Sequence, residues 1–418
     1  MRKPTILILP YTPTLSHISR PLAVAKNLHK TGCNIVFAGF NTKKSKIPFI
    51  AEEGFKILPL YESDPDVLFD NIRKGKLAFV IRSSLIKMIQ ADILLFNKIK
   101  PDLVLSDGRF SAMISTQICN IPHAAIVNAS STEYRSIPYV PMFEHFFLKR
   151  LKNKKFHQFC NAVNLKLEMS IFDSAMNVFS RLSDKLNLRY KVTATNCLAG
   201  KDITLLADIP EYFPVKNKPK NYHYIGPVTW KRSDFVCNPL WWPLPESKTK
   251  TAYITMGTTG ENSLFAKVYN EFSKSDFISI VTTGGQAANF KTIPNKIYVE
   301  DYMDGEMVIQ DSDIVVCHGG NGTIYQALSM GKPVIGIPTI PDQDFNMRRV
   351  EALGAGIRIP MKNARRNPEI IVQKAEYILN NEQQFKANLL NLQNTIKQYS
   401  GANMAADIIK EYLQQPRT

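Results

Sequence analysis

The sequence of 418 residues contains no apolar run close to the roughly 20 residues that a membrane-spanning helix needs. Its N-terminal apolar run, Thr5–Leu9, lasts only five residues and ends at Pro10, with no small-residue cleavage site after it. We therefore expect neither a transmembrane span nor a signal peptide, and the run is more typical of a first buried strand. These absences favour a cytoplasmic protein.

Metal-ligand and disulfide patterns are also missing. The six cysteines are scattered along the chain with no C-x-x-C pair, which predicts reduced thiols and no structural zinc site. No nucleic-acid-binding motif accompanies the net charge of +16, so we expect no nucleic acid partner.

The positive charge is concentrated in one half of the chain. Residues 1–229 hold 32 Lys and Arg against 17 Asp and Glu, whereas residues 230–418 hold 20 against 19. The two halves therefore face different partners, or the first lies near an anionic surface such as the inner face of a membrane. A lysine-rich composition without a specific role explains the excess equally well.

A chain of this length predicts two α/β domains of about 200 residues each. Short apolar strands such as Thr5–Leu9 and Asn34–Ala38 alternate with helical patterns, the first of which begins near Pro21. This alternation predicts parallel sheets with helices on both faces. It stops over residues 134–190, and the Pro- and Lys-rich residues 214–250 indicate a linker.

A glycine-rich turn follows the predicted strand Asp313–Cys317. It reads His318-Gly-Gly-Asn-Gly-Thr323 and precedes a helix. Glycines let the backbone approach a ligand, and a helix N-terminus offers unpaired N–H groups to an anion. The pattern is neither Walker A nor G-x-G-x-x-G, which disfavours nucleotide hydrolysis and hydride transfer. The turn predicts a phosphate site, although many such turns have no ligand.

Two further strand ends carry polar residues. Hydroxyl side chains occur in Thr255–Thr259, and Asp342 and Gln343 follow the predicted strand Pro333–Ile337. Ligands of open parallel sheets bind beyond the carboxyl ends of the strands, so these residues are candidates for phosphate and sugar contacts. Asp342 follows a proline and can also be a turn former.

The order of these motifs resembles the GT-B glycosyltransferases, the nucleotide-sugar-dependent family that includes plant flavonoid and bacterial macrolide glycosyltransferases. The resemblance is strongest over residues 313–356 and includes the N-terminal segment Ser16-His-Ile-Ser-Arg-Pro21, in which Ser16 replaces the family's glycine. Residues 60–100 and 134–210 match no pattern of that family.

The resemblance implies two Rossmann-like open parallel α/β domains that face a cleft. It implies an N-terminal acceptor-binding domain over residues 1–228, a linker over 229–250 and a donor-binding domain over 251–395. Residues 396–418 would form a C-terminal helix that returns to the first domain.

The activity implied is inverting transfer of a sugar from a UDP- or TDP-sugar to a hydroxyl of an apolar small molecule or lipid. His17 would be the general base, since histidine titrates near neutral pH, and Asp107 would orient it. A histidine in a loop is more often solvated or structural. Its position after the first strand, together with an acid at the end of a later strand, favours catalysis here.

The remaining roles carried over from the family concern the donor. The diphosphate would be held by Thr258, His318, Gly320, Asn321, Gly322 and Thr323, the sugar by Asp342 and Gln343, and the nucleoside by Tyr302, Met303 and Gln326. The implied reaction uses neither a metal nor a cofactor. The segment Tyr302-Met-Asp-Gly305 lacks the family's Pro and Gln, and Gln326 replaces its glutamate. Uridine and thymidine therefore both stay open.

Two other functions fit the same motifs: a non-catalytic nucleotide-sugar-binding regulatory subunit and a GT-B-shaped nucleotide-sugar epimerase. The acceptor stays open among polyketides, other secondary metabolites, sterols, carotenoids and glycolipids, and so does the oligomeric state. Phe143, Phe146, Phe147 and Leu151 recur at helical spacing among lysines and an arginine. They predict either an interfacial helix on an anionic membrane or an acceptor-pocket helix with inward-facing aromatics.

Overall fold

The computed structural model describes residues 2–40, 46–139, 154–229, 239–244, 248–257, 261–285 and 290–415. The chain divides into two compact units. The first comprises Met1–Trp230 and Tyr399–Thr418, and the second comprises Lys231–Gln398. The C-terminal residues therefore belong to the first unit.

The first unit is built on a seven-stranded sheet in which all neighbouring strands are parallel. Its strands are β1 (Thr5–Pro10), β2 (Asn34–Gly39), β3 (Lys56–Pro59), β4 (Leu103–Asp107), β5 (His123–Val127), β6 (Ile203–Leu206) and β7 (Tyr222–Tyr224). They lie in the order β3-β2-β1-β4-β5-β6-β7. The central strands are covered on both faces, which is why β1 and β4 are mostly apolar and buried almost throughout.

Helices cover both faces of this sheet. They are α1 (Leu15–Lys30), α2 (Pro48–Glu52), α3 (Pro65–Arg73), α4 (Arg82–Ile99), α5 (Ala112–Ile118), α6 (Lys154–Ala175) and α7 (Val178–Lys185), and the last helix of the chain joins them. That helix spans Ala402–Gln414 and packs against α1, with Ala405 and Ile409 buried in the same core as Leu22 and Leu28.

The second unit contains a six-stranded parallel sheet with the same arrangement. Its strands are β8 (Thr251–Thr255), β9 (Ile278–Thr282), β10 (Ile297–Glu300), β11 (Ile314–Cys317), β12 (Val334–Gly336) and β13 (Gly356–Arg358), in the order β10-β9-β8-β11-β12-β13. Its helices are α8 (Asn262–Lys274), α9 (Gly305–Gln310), α10 (Asn321–Ser329), α11 (Pro341–Ala352), α12 (Met361–Arg366), α13 (Ile370–Asn380) and α14 (Glu382–Ile396); the C-terminal helix Ala402–Gln414 is α15.

The prediction of two open parallel α/β domains is confirmed. The predicted start of the first helix near Pro21 is wrong, because α1 begins at Leu15 and contains Pro21. His17 is therefore a helical residue and not a loop residue. Proline lacks an N–H group, so Pro21 cannot donate to the His17 carbonyl one turn earlier, yet the helix continues through it.

Residues 134–190 are more regular than their sequence indicates, since they contain α6 and α7. Phe143, Phe146, Phe147 and Leu151 lie outside the described residues. Across the part of the chain that the structure describes, no helix is both long and apolar enough to cross a membrane.

Candidate functional site

A histidine and an aspartate meet at the centre of the first sheet, where the strand order reverses between β1 and β4. Pro10, the last residue of β1, pairs with Asp107, the last residue of β4, and α1 follows β1 closely. His17 lies in the first turn of α1, with its Nδ1 atom 2.5 Å from Oδ1 of Asp107. The fold thus joins two predicted residues at the switch point where open α/β sheets bind ligands.

The Asp107 carboxylate is almost fully buried, and Arg20 provides its counter-charge. Arg20 Nε donates to Oδ2 at 2.9 Å and Nη2 donates to Oδ1 at 2.6 Å, while Nη1 donates to Asn128 Oδ1 at 2.6 Å. Such two-point pairing fixes the plane of the carboxylate and supplies the charge that burial requires. The sequence prediction missed Arg20. Its position three residues after His17, on the same helix face, was the available signal.

The hydrogen bond to Asp107 also fixes which nitrogen of His17 can act as a base. A carboxylate only accepts hydrogen bonds, so Nδ1 carries the proton and Nε2 keeps a lone pair. Arg20 Nη2, at 3.2 Å from Nδ1, is then a charged neighbour and not a donor to it. The His17 side chain is 31% exposed, so Nε2 is accessible to a ligand.

The backbone next to the pair is shaped to fit the imidazole. Gly108 has a φ of +78°, and a Cβ atom there would lie 3.1 Å from His17 Nδ1 and 2.9 Å from Tyr11 Cβ. Tyr11 packs edge-on against the imidazole, with ring centroids 5.9 Å apart. A side chain at Gly108 would be strained and would displace the histidine, so this glycine maintains the geometry of the pair.

A small pocket of about 130 Å³, open to solvent, is lined in part by Tyr11 in the first unit. Aromatic and aliphatic side chains form most of its wall, with a few hydroxyl and carboxyl groups among them. The lining residues are Tyr11, Tyr61, Glu62, Ser63, Asp64, Val67, Leu68, Phe79, Val80, Ile81, Ser84, Met88 and Phe110. This composition suits an apolar ligand that carries a few polar groups.

Buried charged residues support the pocket wall. Arg109 and Asp92 form a buried ion pair at 2.6 Å, and Arg109 Nη2 also donates to the Tyr61 carbonyl at 3.0 Å. Glu62 accepts a hydrogen bond from the Thr12 hydroxyl, and burial raises the pKa of its carboxyl. The sequence patterns gave no signal for this cluster, because its members come from separate segments.

The imidazole of His318, at the start of the glycine-rich turn of the second unit, packs against Gly257 and Gly320. A Cβ atom at Gly257 would come within 2.5 Å of His318 Cε1, and one at Gly320 within 2.6 Å of Nε2. The turn follows β11, and Gly257 follows β8, so both lie where the second sheet reverses its strand order. Only glycine leaves room for the imidazole at these two positions.

Burial lowers the pKa of His318 to about 4, against a weaker opposing effect of the Thr255 backbone. In the free protein the imidazole is therefore neutral at pH 7, with one N–H group and no positive charge. The helix α10 begins immediately after Gly320, with Asn321, Gly322 and Thr323 in its first turn. Its first N–H groups lack intrahelical partners, as those of any helix do, and at such ends anions can bind.

The space beside Gly322, in the first turn of α10, is open. A Cβ atom added at Gly322 would meet nothing within 4 Å. Thr258, the remaining predicted diphosphate contact, lies outside the described residues. The turn and the helix end thus bring five of the six predicted diphosphate residues together.

The predicted sugar-binding residues lie in the first turn of α11. Gln343 is buried, and its Oε1 accepts from both the N–H and the hydroxyl of Thr339 at 2.9 Å. Asp342 is half-buried and accepts from Asn346 at 3.5 Å. Asn346, which the sequence prediction left without a role, donates to the Gly319 carbonyl at 3.1 Å and so ties α11 to the glycine turn.

The predicted nucleoside residues lie around the start of α9. The Tyr302 hydroxyl donates to the Gly284 carbonyl at 2.8 Å, and Met303 is buried. A Cβ atom at Gly305 would lie 3.0 Å from Gln326 Oε1, so the Gln326 amide packs against the N-terminus of α9. Tyr302 and Met303 follow β10, whereas Gln326 lies in α10.

Comparison with known proteins identifies the class to which this fold and site belong. The family described as "Glycosyltransferase family 28 C-terminal domain" matches residues 251–411. A PGL/p-HBAD biosynthesis glycosyltransferase of Mycobacterium tuberculosis is 30% identical, over 90% of this chain and 85% of its own length. A PGL/p-HBAD biosynthesis rhamnosyltransferase of Mycobacterium bovis is also 30% identical, over 85% of this chain and 77% of its own.

A solved structure has the same fold over nearly the whole chain. The spinosyn rhamnosyltransferase SpnG complexed with thymidine diphosphate has a TM-score of 0.70, with 14% identity, 97% of this chain covered and 100% of the other. The chain belongs to the GT-B nucleotide-sugar-dependent glycosyltransferases, as its motifs suggested.

Proposed function

We propose that this glycosyltransferase moves a sugar from a UDP- or TDP-sugar to a hydroxyl of an apolar small-molecule or lipid acceptor, with inversion and without a metal. The observation that carries the proposal is the hydrogen bond between His17 Nδ1 and Asp107. It leaves Nε2 to take a proton, and Tyr11, which packs against the imidazole, lines a pocket whose composition suits an apolar acceptor. The candidate base and the pocket proposed for the acceptor thus lie in one unit.

The reaction requires one displacement. His17 Nε2 takes the proton of the acceptor hydroxyl as its oxygen bonds to the anomeric carbon, and the bond from that carbon to the diphosphate breaks. Asp107 stabilises the imidazolium that forms. Arg20 is a positioning residue, because it holds both carboxylate oxygens in place. A single displacement inverts the anomeric configuration, and the nucleoside diphosphate leaves with the bonding electrons.

Hydrogen-bond donors of the second unit would stabilise the leaving diphosphate. The N–H groups at the start of α10 and a neutral His318 provide fixed dipoles where negative charge develops. Within the described ranges, no three His, Cys, Asp or Glu side chains are grouped to hold a metal ion. We therefore propose that charge compensation comes from these donors.

The relatives suggest the donors to test first. One relative is named a rhamnosyltransferase, and the structural neighbour that binds thymidine diphosphate is also a rhamnosyltransferase. A TDP-linked deoxyhexose is therefore the first donor to try, with UDP-glucose as the alternative. For the acceptor, the aromatic and aliphatic pocket favours phenolic or polyketide compounds and lipids over polar sugars.

Incubation with these donors and a panel of hydroxylated acceptors tests the proposal. We expect a glycosylated product by mass spectrometry, an inverted anomeric centre by NMR, and unchanged turnover in EDTA. The alternatives have different outcomes. A protein that binds the donor but glycosylates no acceptor is a regulatory subunit, and one that isomerises the donor sugar without an acceptor is an epimerase. A retained anomeric configuration would contradict the single displacement.

A further inference from the structure

Helix α6 in the first unit has a row of apolar residues on the side that faces solvent, while Leu165 and Phe172 face inward. Phe159, Val163, Leu167 and Ile171 follow one another at four-residue spacing and are 66%, 40%, 55% and 56% exposed. Residues four apart lie on the same side of a helix, so the four form one stripe about 18 Å long. A helix on a protein surface normally directs such a stripe inward.

The two acidic residues of α6, Glu168 and Asp173, face the opposite way. Glu168 forms an ion pair with Arg135 and accepts from the Tyr139 N–H at 3.0 Å. Asp173 accepts from the Thr195 N–H at 2.9 Å and from its hydroxyl at 3.1 Å. The two acidic residues of the helix are therefore used in anchoring it to the unit. None is left on the exposed side with the apolar stripe.

The charged residues that neighbour the stripe in the sequence are all basic. From residue 145 to residue 167 the chain contains six Lys and Arg residues and no Asp or Glu. Two of the six, Lys155 and Lys166, are exposed residues of α6. The others contribute here only by their charge, since their side chains lie outside the described residues. The excess of basic residues across the first half of the chain points in the same direction.

We propose that the exposed side of α6 docks on an anionic lipid bilayer. The apolar stripe would enter the boundary between headgroups and acyl chains, while the lysines contact anionic headgroups, as in interfacial amphipathic helices. A bilayer accepts a straight apolar stripe without a complementary shape. Among the described side chains of α6, none on the exposed side is acidic, which matches a negative surface. The proposal is independent of the sugar-transfer chemistry, because it uses none of the residues placed in the candidate site.

Vesicle flotation with the full chain tests the proposal, without donor or acceptor. Vesicles of phosphatidylcholine alone are compared with vesicles that contain phosphatidylglycerol, at low and high salt. The wild type should float with the anionic vesicles and should be released by salt. The double variant Phe159→Gln/Leu167→Gln should lose at least 10-fold in partitioning, and Lys166→Glu should weaken binding.

Controls on α4 match these changes. Leu94 is 71% exposed and Lys98 is exposed, so Leu94→Gln and Lys98→Glu make the same chemical changes elsewhere on the unit and should leave binding unchanged. If the first double variant does not fold, Val163→Gln/Ile171→Gln replaces it. Equal binding by the stripe variants and the wild type would overturn the proposal. So would binding without preference for anionic vesicles, or a stripe-dependent dimer that ignores vesicles.

Discussion

Arg20 links the geometry of the candidate base to the charge around it. Its guanidinium contacts both oxygens of Asp107 and lies 3.2 Å from Nδ1 of His17. The planar guanidinium donates to both carboxylate oxygens at once and so fixes their orientation, which a lysine ammonium cannot do. Two substitutions at Arg20 can therefore separate its effect on the orientation of the His17–Asp107 pair from the effect of its positive charge.

We predict that Arg20→Lys lowers kcat about 10- to 100-fold by misorienting the pair, while the acid limb of the pH–rate profile stays in place. Arg20→Met removes the cation as well, so the full charge of Asp107 acts on the imidazolium. The protonated histidine is then favoured, and the acid limb should move to higher pH. Steady-state kinetics between pH 5 and 9 measure both effects. Identical profiles and rates for the wild type and both variants would exclude a positioning role.

At the scale of single elements, the N-terminus of α10 offers a test of the diphosphate site. A Cβ atom at Gly322 meets no protein atom within 4 Å, and alanine favours a helix by about 1 kcal/mol over glycine. Gly322→Ala should therefore keep or raise the Tm of the free protein. A diphosphate bound over this helix end would meet the new methyl group.

We accordingly predict that Gly322→Ala weakens UDP and TDP binding at least 10-fold by calorimetry. The Tm measured in parallel is the control, because a stable variant with low affinity has lost space for a ligand and not its fold. Unchanged affinity for both nucleotides would mean that the diphosphate lies elsewhere.

The elements differ in how well their sequence predicted them. Buried parallel strands such as β1 and β11 are apolar runs bounded by turn residues, so their positions were predictable. The edge strands β7 and β13 have three residues each, too few to leave a periodic pattern. Helix α6 was missed because an apolar stripe is exposed together with Lys155 and Lys166, although Leu165 is buried. The usual rule that the apolar stripe of a surface helix faces inward fails there.

The candidate site was predictable where one segment contains it, as in the glycine turn and the start of α11. Pairing His17 with Asp107 required the resemblance to a known family, since 90 positions separate them. Arg20 and the pocket around Tyr11 and Glu62 were not predicted. Their roles come from tertiary contacts between segments that no local pattern connects.

At the scale of the whole molecule, both units have their candidate site residues at the point where the strand order of the sheet reverses. In each sheet the strand order reverses at the centre, between β1 and β4 in one and between β8 and β11 in the other. The first reversal holds His17 and Asp107, and the second holds Gly257 and His318. The unit that would activate the acceptor is also the basic one, whereas the second half of the chain is nearly neutral.

The most direct test of the central claim is the turnover of His17→Ala with a donor and acceptor that the wild type uses. Loss of a general base costs about 100- to 10,000-fold, so kcat should fall by that factor while the Kd for the nucleotide stays unchanged. His29→Ala, which removes an exposed histidine from the same helix, is the control and should keep wild-type turnover. Turnover of His17→Ala equal to that of the wild type would contradict the assignment of His17 as the base.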